Sequence, residues 1–331
     1  MRLVIVSDAW RPQVNGVVRT LETLTAGLEA KDWVVRLITP DLFKTVPCPT
    51  YPEIRLALFP GRKIGSIIEK FRPCAIHIAT EGPLGMAARR YCVKKNLPFT
   101  TSYHTRFPEY IHARTRLSLT ISYAVMRWFH GRSQSVMVAT QTIEDELVSK
   151  GFKNIRRWSR GVDIDLFKPR NKDFLSDPRP ISLFVGRVAV EKNIEDFLSL
   201  DIPGTKYVVG DGPALKVLRK KYPDVVFAGV REGEELAQYI AAADVFVFPS
   251  RTDTFGLVLL EALSSGVPVA AYPVPGPLDV INGSPAGILD ENLKSAVARA
   301  LVVPPSICRE HASKFSWDNS IAQFESNLSV F

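Results

Sequence analysis

Residues 243–271, ADVFVFPSRTDTFGLVLLEALSSGVPVAA, constrain the fold most because they combine a strand, a loop, a helix and a second strand. The run 245–248 is short, apolar and rich in β-branched and aromatic residues, as expected of a buried strand. Residues 249–254 form a polar turn, and the apolar residues 257–263 continue as a helix until Gly266 ends it. This strand, loop and helix form the repeating unit of parallel α/β sheets.

Two acidic residues bracket the start of this helix. Asp253 lies in the loop, and Glu261 follows eight positions later, inside the helix. Phe255 and Gly256 bring a nearly bare backbone to the helix N-terminus, where unpaired N–H groups and the positive end of the helix dipole attract phosphate. Such a pair of acids is suited to bracketing one phosphorylated ligand. A helix cap followed by an ordinary helix glutamate explains the same spacing.

The same alternation runs through the rest of the chain. In the first half, apolar runs and helical spacing predict strands at 2–7, 34–39, 54–58, 75–79, 99–103, 136–139 and 155–158, and helices at 17–28, 64–71, 83–95 and 144–150. The pattern restarts with strands at 181–185 and 206–209, and the predicted closing helices are 287–303 and 307–331. Alternating strands and helices predict mainly parallel sheets covered on both faces, with ligands beyond the carboxyl ends of the strands.

Length and composition indicate two globular domains. The chain has 331 residues, of which 46% are hydrophobic and 23% are charged, enough for two cores of about 150 residues each. Residues 169–180, PRNKDFLSDPRP, are polar and contain three prolines, as expected of a linker. We therefore predict a first domain at 1–165 and a second at 166–316.

The cysteines and the apolar runs indicate the compartment. Cys48, Cys74, Cys92 and Cys308 show no C-x-x-C spacing, so we expect reduced core thiols in a cytoplasmic protein. The first apolar run is too short for a signal sequence, and no run of 18 apolar residues occurs. These features predict a protein that is neither secreted nor membrane-spanning.

Charge is distributed unevenly between the two halves. Residues 1–160 contain 25 Lys and Arg against 12 Asp and Glu, whereas residues 161–331 contain 17 against 22. This asymmetry predicts that the first half faces a polyanion, either a nucleic acid or an anionic membrane surface. Because the chain shows no RNP-like, zinc-ligand or helix-turn-helix signature, we expect no nucleic acid partner.

The motif S-x-x-D-T-F-G-L-V-L-L-E-A-L-S-S-G-V-P-V resembles the signature of the retaining glycosyltransferases of family 4. In that family the second acid holds the ribose of the nucleotide, which implies this role for Glu261. The Phe-Gly-Leu backbone binds phosphate, which implies donor contacts by Phe255, Gly256 and Leu257. The first acid contacts the transferred sugar, and here the chain has the shorter Asp253 in place of the usual glutamate.

Residues 186–193, GRVAVEKN, resemble a second motif of the same family. By spacing alone, Arg187 and Lys192 would be a solvated pair in a strand-to-helix turn. In the family, the arginine and the lysine bind the donor diphosphate and stabilise the negative charge of the leaving group. The resemblance also implies close backbone approach to the donor at Gly186 and at Gly210, the latter in G-D-G-P.

Two segments of the first half resemble the acceptor side of the family. The opening V-N-G-V-V contains Asn15 and Gly16 at a helix start, with one glycine where the family usually has two, and it lacks G-x-G-x-x-G. S-Y-H-T-R-F-P-E-Y contains His104, whose family counterpart lies against the reacting sugar, together with Tyr103 and Arg106. From the residues alone, a turn glycine and a structural histidine explain these positions equally well.

The pair Asp163 and Asp165 requires a separate interpretation, because D-x-D holds a divalent cation in many metal-dependent glycosyltransferases. Here the pair stands in R-G-V-D-I-D-L-F-K-P, which resembles the interdomain segment of family 4. Arg187 and Lys192 would supply positive charge where a cation would otherwise lie. We therefore expect no metal and no cofactor.

Residues 108–129 combine cationic and aromatic side chains. One interpretation is a core-facing helix with a solvated basic side. The other is an interfacial helix, because arginines beside tryptophan and tyrosine suit the headgroup level of a bilayer. On this second interpretation the predicted membrane contacts are Arg114, Arg116, Arg127 and Trp128.

The resemblance implies a GT-B fold, with two Rossmann-like domains whose parallel sheets face each other across a cleft and a terminal helix within 317–331 that crosses back to the first domain. It implies transfer of a hexose or hexuronic acid from a nucleotide-sugar donor, a UDP-sugar being favoured, to a diacylglycerol-type lipid acceptor. The expected location is the inner face of the cytoplasmic membrane, as a peripheral protein. The alternatives are a GDP-mannose-dependent mannosyltransferase and a non-catalytic sugar-nucleotide-binding module.

Overall fold

The computed structural model describes residues 1–13, 15–48, 51–281 and 283–331. The side chains of residues 51, 113 and 114 lie outside this description, so the predicted membrane contact of Arg114 falls outside the described residues. The described chain divides into two compact units, one formed by 1–159 with 317–331 and the other by 160–316.

The strands of the first unit, within the described ranges, are β1 (Arg2–Val6), β2 (Val34–Ile38), β3 (Thr45–Cys48), β4 (Tyr51–Ala57), β5 (Ala75–Ile78), β6 (Thr100–Ser102), β7 (Val136–Val138) and β8 (Ile155–Arg157). Its helices are α1 (Gly16–Glu29), α2 (Gly61–Phe71), α3 (Pro83–Lys95), α4 (Phe107–Thr115), α5 (Leu119–His130) and α6 (Gln141–Ser149), with the terminal helix Trp317–Asn327. β3 and β4 pair antiparallel, and the other strands form a parallel sheet in the order β2-β1-β5-β6-β7-β8.

β1 shows why this sheet is covered on both faces. Leu3 and Ile5 pack with α1 and the terminal helix, whereas Val4 and Val6 pack with α2 and α3. Successive side chains of a strand point to opposite faces, so a strand buried on both sides is a continuous apolar run. The unbroken apolar sequence of residues 3–6 follows from this double burial.

The terminal helix packs within the first unit. Phe324 is fully buried, and its ring centroid lies 4.8 Å from that of Trp158. The indole Nε1 of Trp33 donates a 2.9 Å hydrogen bond to Glu325 Oε1. These contacts attach the end of the chain to the sheet of residues 1–159.

The second unit, within the described ranges, contains strands β9 (Ile181–Val185), β10 (Thr205–Val209), β11 (Val226–Gly229), β12 (Val245–Phe248), β13 (Val269–Ala271) and β14 (Gly287–Leu289). Its helices are α7 (Ile194–Leu198), α8 (Leu215–Lys221), α9 (Gly233–Ala242), α10 (Leu257–Ser264), α11 (Pro277–Ile281), α12 (Leu293–Ala300) and α13 (Pro305–Ala312), and the terminal helix of the first unit is α14. The strands form a second parallel sheet in the order β11-β10-β9-β12-β13-β14.

The division between the units lies after residue 159, six residues before the predicted boundary at 165. Residues 160–167 are held by the second unit. Val162 N donates to Phe315 O at 3.1 Å, and Arg309 Nη1 donates to Phe167 O at 2.7 Å. These partners lie about 150 residues further along the chain, so local sequence carries no sign of them.

The predicted linker, residues 169–180, lies against the second unit. Asp244 accepts hydrogen bonds from Lys172 Nζ and Arg179 Nη1, each at 2.7 Å. Burial acts to raise the pKa of Asp244, but these contacts outweigh it and leave the pKa below its usual value. The polar residues that suggested a linker therefore hold this segment in place.

Two predicted closing helices were wrong in part. Residues 287–289 form β14, which pairs in parallel with β13, and helix begins only at Leu293. The predicted helix 307–331 is interrupted between α13 and α14. A short apolar run before a helix does not reveal whether a sheet edge is open to receive it.

The cysteines differ in burial. All four are free thiols; Cys92 and Cys308 are buried, whereas Cys48 and Cys74 are only half-buried. Burial raises the pKa of Cys92 and of Cys308 to about 12, so these two thiols stay protonated near neutral pH. The prediction of core thiols is wrong for the other two.

Candidate active site

The loops after β9, β10 and β12 lie side by side. These strands are neighbours and run parallel, in the order β10-β9-β12. Their carboxyl ends therefore meet at one edge of the sheet, where ligands bind in open α/β sheets. The predicted donor residues Arg187, Lys192, Asp253 and Phe255 lie on two of these loops.

Backbone packing explains the glycine at position 210. Gly210 N donates to Gly229 O at 2.8 Å, and Gly210 has a φ of 141°. A Cβ atom at this position would lie 1.9 Å from the carbonyl oxygen of Gly186. Gly210 is thus required for the close approach of two strand ends, and its predicted contact with the donor stays a prediction, as does that of Gly186.

Three side-chain contacts join the β9 loop, residues 186–193, to the β12 loop, residues 249–256. Thr252 Oγ1 donates to Glu191 O at 3.1 Å. Asn193 Nδ2 donates to Pro249 O at 3.3 Å. Lys192 Nζ lies 2.5 Å from Asp253 Oδ1.

Sequence reasoning assigned no role to Thr252 or Asn193. Each contacts a backbone carbonyl roughly sixty residues away along the chain, and a short sequence motif gives no information about such a distant partner. Asn193 also has a left-handed conformation, with φ of 50°, which asparagine tolerates better than most residues. An asparagine immediately before a helix was the available signal.

The turn into α10 leaves the helix N-terminus without a side-chain cap. Gly256 precedes Leu257 with φ of 82°, a left-handed conformation that favours glycine, and as a glycine it has no side chain to cap the helix. Phe255 is buried, its ring edge-on to Phe315 with centroids 6.4 Å apart. The buried ring anchors the turn, and the first turn of α10 carries no acidic side chain.

The two predicted acids are both largely shielded from solvent. Glu261 lies on α10 with 7% of its surface exposed. Asp253 Oδ2 is buried and has no hydrogen-bond partner among the described residues. A buried carboxylate oxygen without a partner is costly, and such an atom marks a place where a ligand can donate.

In the first unit, Asn15 caps α1. Its side-chain oxygen accepts hydrogen bonds from Val17 N and Val18 N, each at 3.0 Å. Gly16 is the first helical residue, and its carbonyl accepts from Thr20 Oγ1 at 2.7 Å. The cap accounts for this asparagine and glycine, and their acceptor contacts stay a prediction.

Tyr103 and His104 follow β6 at the carboxyl edge of the first sheet. Tyr103 is buried, and burial raises the pKa of its phenol, so that hydroxyl stays protonated. The ring of His104 lies edge-on to Trp158, with centroids 5.6 Å apart. β6 is separated from β1 by β5 alone, so the loops that hold His104 and Gly16 open at the same edge of this sheet.

Arg106 belongs to a buried polar cluster. Its Nη2 donates to Glu146 Oε1 at 2.8 Å and lies 3.7 Å from Glu109 Oε1. Tyr123 Oη lies 2.6 Å from Glu109 Oε1 and 2.7 Å from Glu146 Oε1, so its one proton is shared between the two carboxylates. Burial acts to lower the pKa of Arg106, but the two acids outweigh it and raise the pKa. The guanidinium therefore serves this cluster, and its contact with an acceptor stays a prediction.

The segment 108–129, predicted as one helix, forms α4 and α5. Arg116 ends α4 with φ of 57°. Arg127 Nη1 donates to Lys150 O at 2.9 Å, so part of its donor capacity is used within the unit. On α5, Ile121, Val125 and Trp128 are 55%, 43% and 57% exposed.

These three residues form an apolar stripe on the outer face of α5. They are spaced at helical intervals, so they share a face opposite the buried Tyr123 and His130. The guanidinium of Arg89 lies 3.9 Å from the centre of the Trp128 ring and fixes it on the surface. The sequence already shows this stripe, because apolar residues of α5 occur on its exposed face as well as on its buried face.

Asp163 is engaged in local backbone contacts. Its Oδ1 accepts hydrogen bonds from Asp165 N at 3.0 Å and Leu166 N at 2.9 Å. Such a turn is a frequent use of aspartate. Over the part of the chain that the structure describes, no group of three His, Cys, Asp or Glu is placed to hold a metal, and no helix is long and apolar enough to cross a bilayer.

Comparison with known proteins identifies the family. The model of Glycosyltransferase Family 4 matches residues 14–166, and that of Glycosyl transferases group 1 matches 179–303. A GDP-mannose-dependent alpha-mannosyltransferase of Corynebacterium glutamicum is 31% identical over 320 residues, which cover 87% of this chain and 76% of that protein. The chain belongs to glycosyltransferase family 4.

Two further family 4 relatives are similar over different shares of their length. Sulfoquinovosyl transferase SQD2 of Arabidopsis thaliana is 34% identical over 72% of this chain, which spans about half, 50%, of that protein. An alpha-monoglucosyldiacylglycerol synthase of Streptococcus pneumoniae is 26% identical, and the similarity covers 100% of this chain and 85% of that protein.

A solved structure confirms the fold of this family 4 glycosyltransferase. The sucrose-phosphate synthase of Thermosynechococcus elongatus superposes with a TM-score of 0.78 at 22% identity, covering 98% of this chain and 97% of that one. The predicted GT-B fold and the predicted glycosyltransferase class are confirmed.

Proposed function

We propose that this glycosyltransferase is a retaining, metal-independent enzyme that moves a hexose or hexuronic acid from a nucleoside-diphosphate sugar to a diacylglycerol-type lipid. The observation that carries the donor half is the joining of the β9 and β12 loops at one sheet edge through Lys192 and Asp253. The cationic side chains and the start of α10 at this edge suit a diphosphate, and the acidic side chains suit the hydroxyl groups of a sugar or ribose.

In this proposal Arg187 and Lys192 stabilise the charge that builds on the leaving diphosphate, together with the N–H groups at the start of α10. Glu261 holds the ribose through charge-assisted hydrogen bonds. The acceptor hydroxyl attacks from the face that the diphosphate leaves, and a phosphate oxygen takes its proton, so the anomeric configuration is retained. His104 lies against the reacting sugar.

The choice of donor rests on the relatives. The pneumococcal relative is named a monoglucosyldiacylglycerol synthase, and a glucosyl group is commonly carried by UDP, so a UDP-sugar is the first candidate. The second is GDP-mannose, because the Corynebacterium relative is named for that donor.

The acceptor half rests on the exposed apolar stripe of α5, residues Ile121, Val125 and Trp128, and on the basic first half of the chain. Apolar side chains beside arginines suit the headgroup region of a bilayer. Each basic residue near an anionic surface contributes roughly 1 kcal/mol, screened within a Debye length. We propose peripheral docking on the cytoplasmic leaflet, with Arg116 and Arg127 close to the headgroups.

The first prediction concerns Glu261. In an assay of nucleoside diphosphate release with UDP- and GDP-sugars and diacylglycerol, Glu261→Gln should lower kcat/KM by roughly 10- to 100-fold, because a neutral amide replaces the charge-assisted hydrogen bonds to the ribose with weaker ones. Glu291→Gln, at a side chain 69% exposed, is the matched control and should change the rate less than twofold. Unchanged turnover of Glu261→Gln would contradict its placement on the ribose.

The second prediction concerns metal. Because Arg187 and Lys192 supply positive charge at the diphosphate, EDTA should leave the rate of the same assay nearly unchanged. Loss of activity in EDTA, restored by Mg²⁺ or Mn²⁺, would overturn this part of the proposal.

The third prediction concerns docking. Wild type should sediment with phosphatidylglycerol vesicles at low salt and much less at high salt or with phosphatidylcholine alone. Combined Ile121→Ser and Trp128→Ser should weaken vesicle affinity by roughly 30-fold or more, because burial of the two apolar side chains together contributes about 2 to 4 kcal/mol. Val302→Ser, at a valine 80% exposed in the second unit, should have no effect. Equal sedimentation of all variants would exclude the α5 stripe as the docking surface.

A further inference from the structure

The Lys192–Asp253 ion pair is not the only contact that joins the two donor loops. Two neutral hydrogen bonds, Thr252 to Glu191 O and Asn193 to Pro249 O, already join them on either side of the pair. The ion pair is therefore an additional contact, and its two members are groups that the proposed function assigns to the donor.

The pair is only partly exposed. The side chain of Lys192 is 21% exposed and that of Asp253 is 17% exposed, with 2.5 Å between Nζ and Oδ1. At such a distance, and with limited solvent screening, the carboxylate neutralises much of the ammonium charge. A diphosphate arriving at this edge of the sheet would meet a lysine that already has a counter-ion.

The second carboxylate oxygen of Asp253, Oδ2, has neither solvent nor, among the described residues, a hydrogen-bond donor to stabilise it. A carboxylate with one oxygen on a cation and the other buried without a donor gains if a hydroxyl group reaches it. The shorter side chain of aspartate keeps this carboxylate close to the backbone of its own loop.

A diphosphate binds the ammonium group of Lys192 more strongly than the carboxylate of Asp253 does. It carries more negative charge than a carboxylate and offers several acceptor oxygens. Only one of the two anions can occupy the close contact with Nζ in full. When the diphosphate takes it, both oxygens of Asp253 become available to hydroxyl groups of the sugar attached to that diphosphate.

We propose that Asp253 is the resident counter-ion of Lys192, and that the donor exchanges with it: the diphosphate takes Lys192, and Asp253 turns to the hydroxyl groups of the sugar. This inference rests on the proposed function. One ion pair breaks and another forms, and no covalent bond changes. After transfer the nucleoside diphosphate has no sugar to engage Asp253, so the carboxylate recovers Lys192 and promotes product release.

The exchange has a consequence that a structural role would not have. Asp253 opposes the binding of a nucleoside diphosphate alone, whereas it supports the bound sugar. Asp253→Asn should therefore bind UDP or GDP more tightly, by about 3- to 10-fold in Kd, because the competing charge is removed. The same variant should lose about tenfold or more in kcat, since the amide is a weaker acceptor for the sugar.

Titration calorimetry with UDP, GDP and ADP tests this on the full chain. Asp201→Asn is the matched control, because Asp201 pairs with Lys294 at 3.0 Å in the second unit but is fully exposed; it changes net charge equally and should leave Kd within twofold. In a Lys192→Gln background, Asp253→Asn should lose most of its effect on Kd, as a double-mutant cycle requires.

The outcomes separate the two claims. If wild type binds none of the nucleotides, the proposed donor site itself is wrong. If wild type binds one of them and Asp253→Asn binds it equally or more weakly, the donor site stands and the exchange is overturned, because Asp253 then merely positions Lys192. Unaltered thermal unfolding of the variant confirms that the comparison is between folded proteins.

Discussion

The candidate donor site depends on the pairing of β9 with β12. Val245 and Phe246 pair in parallel with Ser182 and Leu183, although the two strands are separated by some sixty residues of chain. β10 lies on the other side of β9, so the order of strands reverses at this point, which is where ligands bind in open parallel sheets. The contacts of Lys192, Thr252 and Asn193 all presuppose this pairing.

Much of the fold could be predicted from the sequence, because doubly covered parallel sheets leave a strong local pattern. Residues 3–6 of β1 and all of β12 are unbroken apolar runs, because both of their faces are buried. The features that local sequence did not predict depend on distant partners. The boundary at residue 159 is fixed by Phe315 and Arg309, and the strand at 287–289 exists because β13 offers it an edge.

The candidate site likewise has a part that the sequence predicts and a part that only the structure shows. The motifs identified Arg187, Lys192, Asp253 and Glu261 one by one through a family resemblance, but only the folded chain pairs Lys192 with Asp253. The reverse also occurs: the glycine at 210, which the resemblance connects with the donor, is already required by the carbonyl of Gly186. Residue type alone does not distinguish a ligand contact from a packing constraint.

The central claim is that the β9 and β12 loops bind the nucleoside diphosphate. Hydrogen exchange of the full chain, followed by mass spectrometry with and without UDP or GDP, tests it most directly. We expect slower exchange in peptides that cover residues 186–193 and 254–261, because the ligand would engage N–H groups at the start of α10. Protection confined to other segments, or none with any nucleotide, would contradict the account.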